Sequence, residues 1–495
     1  MRPRDPSRNP AAGDGHQNAM AMAPHNPSKS AGRHAIVLAA GKGTRFKSSR
    51  SKVLHPLCGK PLLMHVLERL HQIGVQRTFL VVGPESQEVR QLAQGAPAQL
   101  GIEFIQQSEQ LGTGHAVQMA APDLDGLGGS LLVLYADTPL IRSSTLQQLV
   151  RLVEEEGADQ ALLTTHLEDP TGYGRILRSK NGQAQATVEE KDATADQRAI
   201  TEVNSGFYCF KTESLLPALK RLGKRNRSGE YYLTDLLQIM RERGLKVETW
   251  TSAQPSETWG INDRMQLAEA EGLMRREIAR RWMAQGVTML DPCSVLIDSS
   301  VEIGQDAVLY PGVILEGRTR IGREAVVHAY CHLSDAEVGE GAVIDHCSVI
   351  RSSRVGARSQ VGPFAHIRAG SRIGSNARVG NFVEVKKSRI DEGSKAAHLT
   401  YLGDAELGKG VNIGAGTITC NYDGVRKNKT VIEDHVFIGS NSQLVAPLKI
   451  GTGAYVAAGS TITESVPPGN LAIARSRQKN KPGWKSPQKR KEQKV

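Results

Sequence analysis

From Ile303 onward an apolar residue returns at every sixth position, and no other feature of the 495-residue sequence restricts the fold so tightly. Ile303, Leu309, Leu315, Ile321, Val327 and Leu333 form one run. Val355, Val361, Ile367, Ile373, Val379 and Val385 form a second, and Ile438, Leu444, Ile450, Val456 and Ile462 a third, often with glycine next in sequence. A period of six held this long predicts a parallel β-helix, in which each short strand buries one apolar residue and a small residue turns the corner. Two stretches interrupt the rhythm, "KKSRIDEGSKAAHLTYLGD" at 386–404 and "CNYDGVRKNKT" at 420–430. Both are expected to leave the coil as loops, where sites are built.

The preceding part, residues 34 to about 260, alternates short apolar runs with amphipathic ones. "AIVLAAG", "TFLVVG" and "LLVLYAD" predict buried strands, and "PLLMHVLERLHQIG" predicts a helix opened by Pro61. This is an α/β pattern, in which ligands gather at the carboxyl ends of the strands. Gly41-Lys42-Gly43 falls at such an end, as a phosphate turn would. It matches neither usual template: no Gly-Lys pair is followed by Ser or Thr, and Phe46 stands where a dinucleotide fingerprint has its third glycine. An ordinary strand-to-helix turn remains the competing account. Lys42, Arg45 and Lys52 lie beside it and could neutralise a transferring phosphoryl group, or be solvated surface cations. Asp137, closing "LLVLYAD", could hold Mg2+ against phosphates or cap a helix. Residues 264–286 predict a connecting helix.

The net charge of +11 raises the question of nucleic acid, but its placement answers against a basic groove. Residues 1–33 carry five basic against two acidic residues and 475–495 carry nine against one, so the body is formally neutral. The tails are expected to be solvated and disordered, with no specific nucleic-acid partner. No apolar run approaches a membrane span, and the first 33 residues lack a secretory core. Six scattered cysteines without a C-x-x-C pair predict buried thiols rather than a disulfide framework or zinc site. A cytoplasmic location is expected.

Several longer motifs are shared with a known family. "LAAGKGTR" with the lysine of "KVLH", "QSEQLGTGHA", "YADTPL", "GYGRI", "VEEKDA", "EVNSG", "GEYYLTD" and "GIND" resemble the bacterial bifunctional UDP-N-acetylglucosamine pyrophosphorylase and glucosamine-1-phosphate N-acetyltransferase. "GPFAHIRAG", "GNFVEVKK", "KAAHLTYLGDAELGKGVNIGAGTITCNYDG" and "VFIGSNSQLVAP" extend the resemblance to about residue 485. It implies a Rossmann-like α/β nucleotidyltransferase domain (34–263), a linker helix (264–286) and a left-handed parallel β-helix acetyltransferase domain (287–474), between an N-terminal extension (1–33) and a basic tail (475–495).

The same resemblance assigns residues. Leu38, Ala39, Ala40, Gly41, Lys52, Gln107, Gly112 and Thr113 would line UTP, and Gly174, Glu189 and Asn204 would hold the sugar. Asp137 and Asn262 would bind Mg2+, with Lys52 and Arg45 assisting transfer to N-acetylglucosamine 1-phosphate. In the β-helix, His398 would be the general base for acetyl transfer from acetyl-CoA to glucosamine 1-phosphate, oriented by Glu384. A purely structural role is the other reading of a lone histidine. Arg368, Lys386, Tyr401, Asn412, Asn421 and Tyr422 would bind that substrate, and Ala415, Ser440, Ala458 and Arg475 the coenzyme. The family assembles as homotrimers. Departures from its pattern are Arg50-Ser51 before Lys52, Ala136 and Ala397; none removes a reacting group. Two rival readings are a single-activity sugar-1-phosphate nucleotidyltransferase with a regulatory β-helix, and a non-enzymatic scaffold. The presence of Lys52, Asp137, Asn262 and His398 speaks against the second.

Overall fold

A computed structural model describes residues 31–41 and 43–492 of the chain. The segment before residue 31, Lys42 and the last three residues, with the expectations placed on them, lie outside the described residues.

The α/β half is built on a twisted sheet whose main strands lie side by side in the order Val247–Ser252, Gln160–His166, Glu202–Lys211, Gly128–Tyr135, Ala31–Leu38, Arg77–Val82 and Ile102–Gln106. Glu202–Lys211 runs antiparallel to both neighbours; the other main pairs are parallel. Strands from "AIVL", "FLVV" and "LLVL" are apolar on both faces because apolar layers cover the sheet on each side. The chain order reverses between Ala31–Leu38 and Gly128–Tyr135, and the carboxyl ends of these strands flank the crevice in which such sheets bind ligands. The first strand begins at Ala31, so the last residues assigned to the N-terminal extension belong to the sheet. Arg33, counted with that tail, pairs with Glu154 at 2.8 Å.

The second half is a left-handed parallel β-helix of three sheets, with eleven, ten and nine short strands. Every residue of the three six-residue runs is buried in its interior. The glycine that often follows is a packing requirement: a Cβ on Gly322 would lie 2.7 Å from the backbone nitrogen of Glu340 in the next coil. The corners depart from expectation, because large residues turn them as well as small ones. Tyr330, Phe364, Phe382 and Leu399 all have φ between 46° and 60°. Left-handed backbone is costly for such residues. Tyr330, Phe364 and Leu399 donate their backbone N–H to the preceding coil, as from Phe364 to the His346 carbonyl at 2.9 Å, which offsets that cost.

The stretch 386–404 is not a loop. It supplies the strands Arg389–Ile390, Lys395–His398 and Tyr401–Gly403 in regular coil positions. The rhythm was hidden because Val385 and Ile390 are five residues apart and the next inward position is Ala396. Alanine there forgoes about 2 kcal/mol of burial relative to leucine. Main-chain bonds keep the coil in register, with Lys395 N–H donating to the Val411 carbonyl at 2.8 Å. Residues 420–430 do leave the coil as expected, between Ile418–Cys420 and Thr430–Ile432.

The halves are joined by a helix, Arg264–Ala284, whose N-terminus is capped by Asp263 accepting from Met265 and Gln266 N–H at 2.9 Å. A hairpin, Pro56–Leu57 with Lys60–Pro61, is pinned between this helix and the first coil. Its Cys58 N–H donates to Glu271 at 2.8 Å, and Ser299 N–H donates to the Cys58 carbonyl at 2.9 Å. The β-helix core continues through the helix to Leu57, Leu62 and Phe46. All six cysteines are free; Cys293 is exposed, contrary to the expectation of burial. Within the basic tail, Pro487–Glu492 is helical. No helix among the described residues is long and apolar enough to cross a membrane.

Candidate active sites

Three side chains far apart in sequence meet at the crevice of the α/β half. The Lys52 ammonium contacts the Asp137 carboxylate and lies 3.1 Å from Asn262 Oδ1. Asp137 is therefore not a helix cap; the helix after it starts only at Ser143. Asn262 is held by its amide donating to the Gly260 carbonyl at 3.1 Å and by its N–H donating to Gln266 Oε1 at 2.7 Å. Ile261 N–H donates to the Asp137 carbonyl at 2.9 Å, which fixes the two oxygen-bearing segments side by side. Arg45 sits exposed on the turn Thr44–Phe46, with no ion pair among the described residues; Phe46 is buried there and stacks on His55 at 4.7 Å.

The glycine turn and the segment after Gln106 form one wall. Leu38 and Ala39 are buried, Ala40 half-buried and Gly41 exposed, and a Cβ on Gly41 would meet nothing within 4 Å. Bare backbone there faces open space. Gln107 donates to the Gly112 carbonyl at 3.3 Å, and Gln110 donates to the Ala40 carbonyl. Gly112 has φ 109°, and a Cβ would fall 2.5 Å from the Tyr231 carbonyl, so only glycine fits. Thr113 accepts from Leu233 N–H at 3.2 Å.

The opposite wall carries Gly174, Glu189 and Asn204. Asn204 N–H donates to the Gly174 carbonyl at 2.8 Å, and a Cβ on Gly174 would lie 3.3 Å from Glu189 Oε1. Asn204 donates to the Tyr208 hydroxyl at 2.9 Å, and Thr234 donates to Glu189 at 2.8 Å. Burial, and then Asp192, raise the Glu189 pKa. Burial, then Glu189 and Asp192, push Asp235 up to about 6. Sequence reasoning passed over Gln110, Thr234 and Asp235. Two of them lie inside the motif "GEYYLTD", but their roles need the folded pairing of 229–235 with 112–114.

The second constellation lies in the β-helix. Asn381 and His398 stand opposite each other on adjacent coils, and His398 Nδ1 is 2.7 Å from Asn381 Oδ1. The expected orienter, Glu384, is instead bound to Arg368 Nη1 at 2.7 Å, because it faces outward from the next sheet. Gly380 permits the Asn381–His398 pairing, since a Cβ there would lie 1.9 Å from the Ala397 carbonyl oxygen.

Around that corner, Arg368, Lys386 and Tyr401 share one outer face. The loop folds back onto it. Asn421 donates to Asp404, while Lys427 stands beside Lys386 and is the chief cause holding the Lys386 pKa below the usual lysine value. Lys427 was not foreseen. Its proximity makes a cationic patch that an anion would relieve. Tyr422 is exposed, its hydroxyl donating to the Gly424 carbonyl. Asn412 does not join this group; it lies on the eleven-stranded sheet, paired with Lys395.

From His398 a ladder of small residues descends the corner, Ala415, Ser440 and Ala458, one per coil. Asn441 N–H donates to the Ala415 carbonyl at 2.6 Å and Gly459 N–H to the Ser440 carbonyl at 2.8 Å. At its end the Arg475 guanidinium donates to the Ala458 carbonyl at 2.7 Å. Three coil steps give a shallow track of roughly 14 Å.

Comparisons with known proteins match the same regions. Residues 35–238 match the MobA-like NTP transferase domain, 292–390 the GMPPB C-terminal domain, and 429–464 the bacterial transferase hexapeptide (six repeats). Among curated proteins, the Bifunctional protein GlmU of Shouchella clausii is 48% identical over 454 residues, covering 92% of this chain and 98% of the relative. That of Exiguobacterium sibiricum is 49% identical over 451 residues, 91% and 99% of the two chains. That of Thermoanaerobacter pseudethanolicus is 49% identical over 449 residues, 91% and 96%.

Proposed function

This chain belongs to the bifunctional GlmU family of uridyltransferase–acetyltransferases, and we propose that its crevice and its β-helix corner carry the two steps that make UDP-N-acetylglucosamine. The observation that carries the reading is the convergence of Lys52, Asp137 and Asn262 in one half with the His398–Asn381 pair and its adjoining track in the other.

In the first step His398 takes a proton from the ammonium of glucosamine 1-phosphate. The freed lone pair attacks the thioester carbonyl, a C–N bond replaces the C–S bond, and of the two protons the nitrogen loses, one passes to the departing thiolate and the other to solvent. Arg368 and Lys386, with Lys427, would hold the sugar phosphate, and Tyr401, Asn421 and Tyr422 would bound the sugar. The ladder from Ala415 to Ala458 suits a pantetheine arm lying against the coil, with Arg475 toward the coenzyme's phosphates.

In the second step a phosphate oxygen of N-acetylglucosamine 1-phosphate attacks the α-phosphorus of UTP in line, and pyrophosphate leaves. Leu38 to Gly41, Gln107, Gly112 and Thr113 would position UTP, and Gly174, Glu189 and Asn204 the sugar. Positioning and charge neutralisation supply the rate, with Lys52 and Arg45 as the cations. The Asp137 and Asn262 oxygens already converge on one cation, the Lys52 ammonium, and hard oxygen donors of this kind suit Mg2+. When bound, Mg2+ would neutralise phosphate charge there.

The acetyl site is completed in a trimer. Asn412 stands on a different face from Arg368 and Lys386, so one chain does not close the substrate set. An uncovered column of large side chains runs beside it: Tyr330, Phe364, Phe382 and Leu399 are 69%, 51%, 56% and 61% exposed. Light scattering should give three times the 53.6 kDa chain mass; a monomer with full acetyl transfer would contradict this.

The function is tested by incubating the purified protein with glucosamine 1-phosphate, acetyl-CoA, UTP and Mg2+. UDP-N-acetylglucosamine, free thiol and pyrophosphate are expected. Uridyl transfer to N-acetylglucosamine 1-phosphate without any thiol release would support the single-activity reading instead.

A further inference from the structure

A cavity of about 690 Å3 lies between the helix Leu62–Gln72, the turn after Asp137 and the long helix Arg264–Ala284, and it shares no residue with either constellation above. Its wall is rich in guanidinium groups: Arg69, Arg142, Arg276, Arg280 and Arg281 all line it. Three glutamates line it too, but each is engaged. Glu68 takes Lys60 at 2.6 Å, Glu277 takes Arg142 at 3.5 Å, and Glu257 accepts from Thr145 at 2.7 Å and from Ser252. Arg69, Arg276, Arg280 and Arg281 therefore have no carboxylate partner among the described residues.

Arg69 is the most telling of these. It is half-buried, its Nε is buried without a hydrogen-bond partner, and Nη1 donates only to Gln72 at 3.1 Å. Burial disfavours its charge, and the nearby Arg281 and Arg142 add to this, while Glu68 and Glu277 oppose it from a distance without bonding it. Holding a guanidinium in such a place with one nitrogen unbonded and no carboxylate in direct contact is expensive. Phosphate oxygens match guanidinium forks in charge and geometry. Leu140, Met274 and Ile278 add an apolar wall, and the volume lies in the range of small-molecule sites.

We propose that this cavity binds a small polyphosphate anion of the nucleoside di- or triphosphate class, separately from both transfer sites. The neighbouring cations would be drawn together by its phosphates, with the apolar wall against the organic part.

The test is titration calorimetry of the full chain with ADP at low salt without divalent metal. One saturable event is expected, weakened about tenfold or more in Arg69→Gln/Arg280→Gln. Arg280 is exposed, so Arg280→Gln alone reads the same loss in a chain whose core is untouched. Lys52→Met, which disables the uridyl crevice, should leave the affinity within about twofold. Absence of saturable binding to the parent protein overturns the proposal. So does binding that persists in both arginine variants, or that disappears with Lys52→Met.

Discussion

Replacing His398 with alanine is expected to lower acetyl transfer by roughly 10²–10⁴-fold while uridyl transfer continues, the scale of losing a positioned general base. The ammonium form of the amine has no lone pair to offer, so the loss should fall on kcat rather than on coenzyme binding. His398 is exposed at a corner and its ring packs in no core, so the coil should survive the change. Thiol release from acetyl-CoA, measured beside circular dichroism, checks both. Parent-like thiol release would remove the base assignment. An equal fall in both activities with a dispersed protein would make the histidine structural.

The counterpart in the other half is Asp137→Asn. It removes the negative charge that Lys52 contacts and that Mg2+ would share, while keeping the shape of the side chain. Charge stabilisation by a bound metal is worth several kcal/mol, so pyrophosphate release should fall on the order of 10²-fold or more. Acetyl transfer should not change, because Asp137 lies in the α/β half and touches no coil of the β-helix. Uridyl transfer within about twofold of the parent would take Asp137 out of the metal site.

The legibility of the fold followed burial. The β-helix was readable wherever each coil spent a large apolar residue on its inward position, and it faded at Val385–Ala396, where a shortened step and an alanine erased the period. What stayed in place there was the main-chain ladder, which leaves little trace in side-chain identity. The corners misled for a related reason. Tyr330, Phe364 and Leu399 accept left-handed backbone because an inter-coil hydrogen bond offsets it, and a sequence carries no record of that bond.

The sites divide in the same way. Strand-end residues such as Asp137 were visible from the run that precedes them. Its partnership with Asn262, just before the linker helix, came only through resemblance to a family, and its contact with Lys52 was not foreseen, because it joins segments far apart in sequence. Asn381, rather than Glu384, meets His398 because parallel coils pair residues 17 positions apart on the same sheet, whereas Glu384 has already turned onto the next. Lys427 is legible only once the loop is folded back onto Lys386.

The central claim is that one chain holds two chemically independent transfer sites linked by a diffusible intermediate. It is tested most directly by mixing the two variants in one vessel with glucosamine 1-phosphate, acetyl-CoA, UTP and Mg2+. Alone, His398→Ala should leave glucosamine 1-phosphate largely unconverted, and Asp137→Asn should accumulate N-acetylglucosamine 1-phosphate. Together they should make UDP-N-acetylglucosamine at a rate set by the intact site of each. A mixture as inactive as its components, with both proteins folded, would contradict the account.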